Sequence, residues 1–182
     1  MTVAPIDPTN QLISGFREEL ERQFQQNPGL AAALQDEAHC LAIGREAAAS
    51  VRAQIAWTAA LGLSLTTEEL VAAWMGDVAK VEQLTRADEL VYLQFKKIRR
   101  YPRWQFDEDP AKDLPVHPVA TAIFHAFQDE LGGDFLGETV ISWAATPQPE
   151  LDNQEPRAVL TDRSQTEMII LAARRAAHIL SH

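Results

Sequence analysis

The stretch Leu65–Phe106, LTTEELVAAWMGDVAKVEQLTRADELVYLQFKKIRRYPRWQF, decides the fold. Thr66 followed three residues later by Glu69 has the spacing of a capping box, so a helix opens here, with Leu70, Val71 and Trp74 as its apolar face. Met75-Gly76-Asp77 reads as a tight turn. Val78, Val81 and Leu84 recur at spacing three and predict a second short helix from about Val78 to Glu89. Leu90–Phe95 and Ile98–Tyr101 are β-prone, and Lys96-Lys97 between them leaves the length of a tight hairpin.

Helix, three-residue turn, helix and hairpin is the order of a winged helix-turn-helix. In that geometry the first helix braces the second, which enters a major groove, while the hairpin touches phosphate. The second helix would turn Lys80, Glu82, Gln83, Thr85 and Arg86 outward. Gln83 and Arg86 suit base edges and Lys80 suits phosphate. The wing adds Lys96, Lys97, Arg99 and Arg100, and Arg103 follows it. Against DNA binding stand Asp77, Glu82, Asp88 and Glu89, each a carboxylate that phosphate would repel.

Working outward, residues 1–10 carry two prolines and read as a loose arm. Leu12, Phe16, Leu20 and Phe24, at steps of four, predict a helix over 11–24 that Asn27-Pro28-Gly29 breaks. Residues 30–61 are Ala-rich and favour helix, with an interruption expected near Gly44. That helix packs within the chain or forms a seam between copies, a homo-oligomer being the second reading. Downstream, Pro115 and Pro118 precede a helix over 119–131, which Gly132-Gly133 ends. A helix is expected over 139–145 with Trp143 buried, and Pro147, Pro149 and Pro156 call for an extended or turning connection. Residues 165–180 predict a last amphipathic helix with Ile169, Leu171, Ala172, Ala176 and Ile179 on its apolar face and Arg174 and Arg175 near its negative end. The expected architecture is therefore mainly α: an N-terminal helical extension (1–62), a helix-turn-helix with a β-hairpin wing (63–106), and a C-terminal helical domain (107–182).

Charge divides along the same lines. The 182-residue chain carries a formal −10, which argues against indiscriminate nucleic-acid binding. The three segments carry −3, +1 and −8, so a basic island precedes an acidic C-terminal part. A 46% hydrophobic content suffices to bury a core. No run of about 18 apolar residues predicts a membrane span, and the N-terminus lacks the pattern of a signal peptide. Cys40 is the single cysteine, too few for a disulfide staple or a thiolate metal site. A cytoplasmic protein with no cofactor and no metal is the expectation.

Catalytic chemistry finds no constellation. The five histidines, His39, His117, His125, His178 and His182, form no HExxH or His/Cys pair, and no Gly-rich phosphate loop occurs. His125, beside Phe124 and Phe127, reads as a partly buried packing residue, and Asp107-Glu108-Asp109 as a solvated linker without calcium-loop spacing. No catalytic residue is expected, and the chain reads as a binding protein.

Arg100-Tyr101-Pro102-Arg103-Trp104-Gln105-Phe106-Asp107 resembles the Tyr-Pro-x-Trp-Gln-Phe segment of the Xre/ParS/MbcA-type antitoxins, the partners of RES-domain toxins. The stretch 65–106 is similar to that family's helix-turn-helix region. Trp143, Pro147, Leu151, Pro156 and Leu160 meet the pattern of its toxin-binding domain more loosely. The family has glycine where Asp88 stands and often where Asp152-Asn153 follows Leu151; Asp and Asn tolerate a left-handed backbone. The resemblance covers about residues 63–180. It implies a regulator that masks an NAD-degrading toxin with its C-terminal part, using those five residues, and binds its own operator DNA. A stand-alone DNA-binding transcription regulator is the alternative.

Overall fold

The computed structural model describes residues 7–27, 29, 37–95, 97–107, 114–132 and 137–182. It is mainly helical with one small three-stranded antiparallel sheet. The chain divides into two units, Met1–Ala53 and Gln54–His182.

In the first unit, helix α1 spans Pro8–Gln26. The Asp7 carboxylate accepts from the Thr9 N–H (2.9 Å) and Pro8 stands where its missing N–H costs nothing. Leu12, Phe16 and Leu20 share a face, as their spacing predicts, yet stay 38–50% exposed. Hydrogen bonds from Arg22 and then Gln23 hold the Glu19 carboxyl down at about 2. Helix α2, Glu37–Leu61, starts in this unit and ends in the second. It runs unbroken through Gly44, contrary to the expected interruption: one glycine costs about 1 kcal/mol, which the Ala, Arg and Glu around it offset. The first residues of the predicted helix, 30–36, lie outside the described residues.

In the second unit α2 ends at Gly62, whose φ of 62° suits a residue without Cβ. Strand β1 (Ser64–Thr66) runs into helix α3 (Thr67–Ala73). The capping box forms: Glu69 N–H donates to Thr66 Oγ1 (3.1 Å), and Thr66 N–H to the Glu69 carboxylate (2.7 Å). Met75 and Gly76 turn the chain with φ of 52° and 89° into helix α4 (Val78–Arg86), which Asp77 caps. Helix α4 stops three residues short of the expected Glu89, because Asp88 adopts φ 54°.

Strand β2 covers Leu93–Phe95 and β3 covers Ile98–Pro102; the sheet order is β1-β3-β2. The hairpin pairs Phe95 with Ile98 and Leu93 with Arg100, and β1 pairs Leu65 with Tyr101. The β-prone run from Leu90 yields strand only from Leu93; Leu90 and Val91 are buried outside the ladder.

A 3-10 turn (Arg103–Gln105) leads toward helix α5 (Pro118–Leu131), whose N-cap is His117, with Nδ1 accepting from Val119 N–H (3.2 Å). Helix α6 spans Gly137–Ala144. The proline-rich connection takes the turning rather than the extended form. Pro149 and Pro156 start a 3-10 turn (Pro149–Leu151) and helix α7 (Pro156–Val159), where a fixed φ and a missing N–H suit the first turn. After a further 3-10 turn (Arg163–Gln165), helix α8 spans Thr166–Leu180 and packs along α5. Its buried residues are Ile169, Ala172, Ala173 and Ala177; Leu171 and Ile179, assigned to the apolar face, are 60% and 64% exposed. Alanines at spacing three and four let α5 approach closely, and that approach sets the buried arc.

Two apolar clusters result. One joins Leu70, Trp74, Val81, Leu90, Tyr101 and Phe106. The other is built on Ile123, Phe127, Ile141, Trp143 and Ile169, with Leu61, Val91, Leu151 and Leu160 added.

Candidate functional site

The segment Tyr101–Phe106 is the seam between the two clusters. Tyr101 and Phe106 are buried in the first, while Trp104, half-buried, packs against the second. Between them Gln105 is fully buried. Its Oε1 accepts from the Val91 N–H (2.8 Å), and its Nε2 donates to the Val91 carbonyl (2.8 Å) and the Pro102 carbonyl (3.1 Å). A primary amide supplies both a donor pair and an acceptor, so it takes the place of a neighbouring strand for Val91. Trp74 stands edge-on to Phe106 with ring centroids 6.1 Å apart, and its indole N–H donates to the Leu114 carbonyl (3.1 Å).

The basic residues fare unequally. Gln83 and Arg86 are exposed on α4, as expected of an outward face. Lys80 is half-buried, its Nζ 4.4 Å from the centroid of Trp74. Thr85 is not on that face: it is 9% exposed, and its hydroxyl donates to the Val81 carbonyl (2.7 Å). A threonine that satisfies its hydroxyl one turn back can enter an apolar interior. Arg99 lies 3.5 Å from Glu82 and stacks over Tyr92 at 5.2 Å, so its charge is engaged. Glu82 also reaches Arg86 at 3.9 Å. Lys97 and Arg100 are exposed, Arg103 is half-buried, and Lys96 lies outside the described residues.

Of the four counted carboxylates, two more besides Glu82 are engaged. Asp77 Oδ1 accepts from the Lys80 N–H (2.9 Å) at the start of α4. Asp88 accepts from Gln128 Nε2 (2.7 Å), which ties the end of α4 to α5. Asp88, Asp152 and Asn153, the three residues standing where the resembled family prefers glycine, all have φ of 54–57°.

The five residues assigned to partner binding are mostly core. Trp143, Leu151 and Leu160 are 7%, 1% and 2% exposed, Pro156 is buried, and Pro147 alone of the five is exposed. Their pattern builds the second cluster and the turn at Asp152, so in this structure Leu151, Pro156 and Leu160 are not offered to a partner, and Trp143 reaches the surface only at its edge. Met168, Leu171, Ile179 and Leu180 of α8 are exposed apolar residues outside that set. Arg157 is the polar residue the sequence reading missed. Its Nη1 donates to the Ala59 and Ala60 carbonyls (3.0 and 2.7 Å) at the end of α2, and its Nε to Glu155 (2.7 Å). A cation there meets the negative helix end. His125 is exposed, contrary to its reading as a packing residue, because its position on α5 faces away from α8. Among the described residues no group of three or more His, Cys, Asp or Glu side chains is arranged to hold a metal ion, and no helix is long and apolar enough to cross a membrane.

No protein-family model, curated protein or solved structure matches the chain.

Proposed function

We propose that this chain is an antitoxin-like regulatory protein that neutralises a RES-type, NAD-degrading toxin through residues 107–182 and binds operator DNA through a winged helix-turn-helix formed by α3, α4 and the β2–β3 hairpin. The observation that carries the reading is the buried seam Tyr101–Phe106. A Gln locked on Val91 between two apolar clusters gives a physical reason for a Tyr-Pro-x-Trp-Gln-Phe segment to join a reader-like part to a helical part. The left-handed Asp88, Asp152 and Asn153 support it, since glycine at those positions would serve the same backbone. The −8 balance of residues 107–182 suits a cover for a basic or anion-binding cleft. The exposed Lys97, Arg100 and Arg86 favour operator contact through phosphate.

The test is co-purification of the tagged full chain with the product of its adjacent gene, together with the toxicity of that product expressed alone. A stable complex and relief of toxicity are expected. Absence of both would sink the reading, and a promoter gel shift without a protein partner would replace it with a stand-alone regulator.

A further inference from the structure

Helix α6, the end of α8 and the last turns of α2 enclose an open groove of about 440 Å³ lined by Trp57, Trp143, Leu180, Glu138, Ser142 and Gln148, with Thr139 and Thr146 beside them. Residues 138, 139, 142, 143 and 146 fall at spacings of one, three and four, so a single face of α6 and its exit forms the floor. Two indoles and one carboxylate converge on this space.

The polar groups of the groove are biased toward accepting. The Thr146 hydroxyl donates to the Ser142 carbonyl (2.8 Å). The Gln148 amide N–H donates to the Thr146 carbonyl (2.8 Å) and the Trp143 carbonyl (3.5 Å), which leaves its own carbonyl oxygen for a ligand. The Trp143 indole nitrogen is buried and is not presented to solvent, so that residue offers ring carbon. Glu138 is half-buried and has no ion-pair partner among the described residues. As an acidic residue in the first turn of α6 it also favours the helix dipole, but that role leaves its oxygens free to accept. A space lined by two indoles, with an amide oxygen left to accept and a carboxylate that meets no cation among the described residues, suits a donor-rich cation better than an anion.

We propose that this groove receives an arginine side chain of a partner protein, the guanidinium stacking on Trp57 or Trp143 and donating to Glu138 and the Gln148 carbonyl. Arginine fits better than lysine because a planar guanidinium stacks and donates at once. The proposal names the recognition chemistry of the toxin-covering part, and rests on that reading only where the toxin itself is the partner.

The test has two arms. In the first, the full chain is titrated with N-acetyl-arginine methylamide, and with the uncharged citrulline analogue, while the indole N–H resonances of Trp57 and Trp143 are followed by NMR. Saturable shifts below about 100 mM are expected with the arginine compound alone, weakened about three- to five-fold by Glu138→Gln and by Trp57→Leu. Equal shifts with citrulline, no effect of Glu138→Gln, or shifts driven by protein concentration without any probe would each overturn the proposal; the last would assign the groove to a second copy. Glu138→Gln keeps size and hydrogen bonding, so the fold is preserved in at least one variant. In the second arm, the product of the adjacent gene is captured by the wild-type chain and by Glu138→Gln. Capture by the wild type that Glu138→Gln leaves unchanged refutes the groove while the antitoxin reading stands. Capture by neither refutes that reading and leaves the first arm to decide the groove.

Discussion

Replacing Gln105 with leucine tests whether the seam is held by its amide or by its apolar neighbours. The substitution keeps the volume and removes three hydrogen bonds, leaving the Val91 N–H, the Val91 carbonyl and the Pro102 carbonyl without their partner. Val91 is 1% exposed, so water does not replace the amide. An orphaned buried N–H costs roughly 1–3 kcal/mol, and carbonyls with a second lone pair cost less. Leucine regains about 1–2 kcal/mol of transfer energy that the amide forgoes. The net expectation is a loss of about 1–4 kcal/mol against the roughly 5–15 kcal/mol of a typical domain. Urea unfolding followed by tryptophan fluorescence measures it as a lower midpoint at constant slope. Amide exchange gives the sharper readout, because the Val91 N–H lies outside the ladder and owes its protection to Gln105. Gln105→Glu adds a pH signature. Burial beside two carbonyls would raise the folded pKa of the new carboxyl above its unfolded value near about 4.3. Its stability is then full below that unfolded value, where the protonated acid still donates, and is lost as pH rises through the folded pKa. A leucine variant within about 0.5 kcal/mol of wild type, with Val91 still protected, would refute the reasoning.

Four further outcomes are expected. Gly137→Ala should cost about 1–3 kcal/mol or shift α6, because a Cβ there would clash with the Tyr92 carbonyl oxygen; thermal melting checks it. Arg157→Met should cost about 1–2 kcal/mol and expose the last turn of α2 to amide exchange, since the Ala59 and Ala60 carbonyls lose a charged donor. Asp152→Gly should raise stability by about 0.5 kcal/mol by relieving a left-handed residue, whereas Asp88→Gly should not, because it also loses the 2.7 Å bond from Gln128; denaturant midpoints of the two variants separate the effects. If the promoter is bound, removing Lys97 and Arg100 together should flatten the logarithmic salt dependence by about two, and removing Arg99 by less than one, since Glu82 already engages it; gel shifts across a salt series read both slopes.

Legibility in the sequence followed the range of the interactions. The capping box at Thr66 and Glu69, the turn at Met75–Asp77 and the glycine stop after Leu131 rest on contacts a few residues apart, so spacing alone reveals them. Strand β1 was not legible. Three residues are too few to alternate, and the spacing of Thr66 marks it as a helix cap; it ends the strand and caps α3 at once. The extent of β2 was overread because Leu90 and Val91 are apolar and buried, as strand residues are, while the backbone groups of Val91 answer to a side chain fourteen positions away. Thr85, Leu171 and Ile179 were misplaced for a related reason: which arc of a helix is buried depends on the partner that approaches it, and periodicity fixes only the width of the arc.

The residues that carry the family resemblance are, with few exceptions, inside. Tyr101, Gln105 and Phe106 are buried in one stretch, and Trp143, Leu151, Pro156 and Leu160 in the other. Buried residues can specify a scaffold but cannot discriminate between partners that never touch them. On the proposed reading, partner choice therefore has to come from surface groups rather than from this buried set, such as Glu138 and Trp57 at the groove and Lys97 and Arg100 at the hairpin. Two kinds of variant should thus behave differently. A change at Gln105 or Leu151 should weaken every binding activity together, through the fold. If the proposed toxin and operator are both bound, a change at Glu138 should alter protein binding without moving the salt slope on DNA, and a change at Arg100 should do the reverse. Loss of both activities from either surface variant, with the melting transition unchanged, would mean that the two surfaces are coupled through the seam rather than independent.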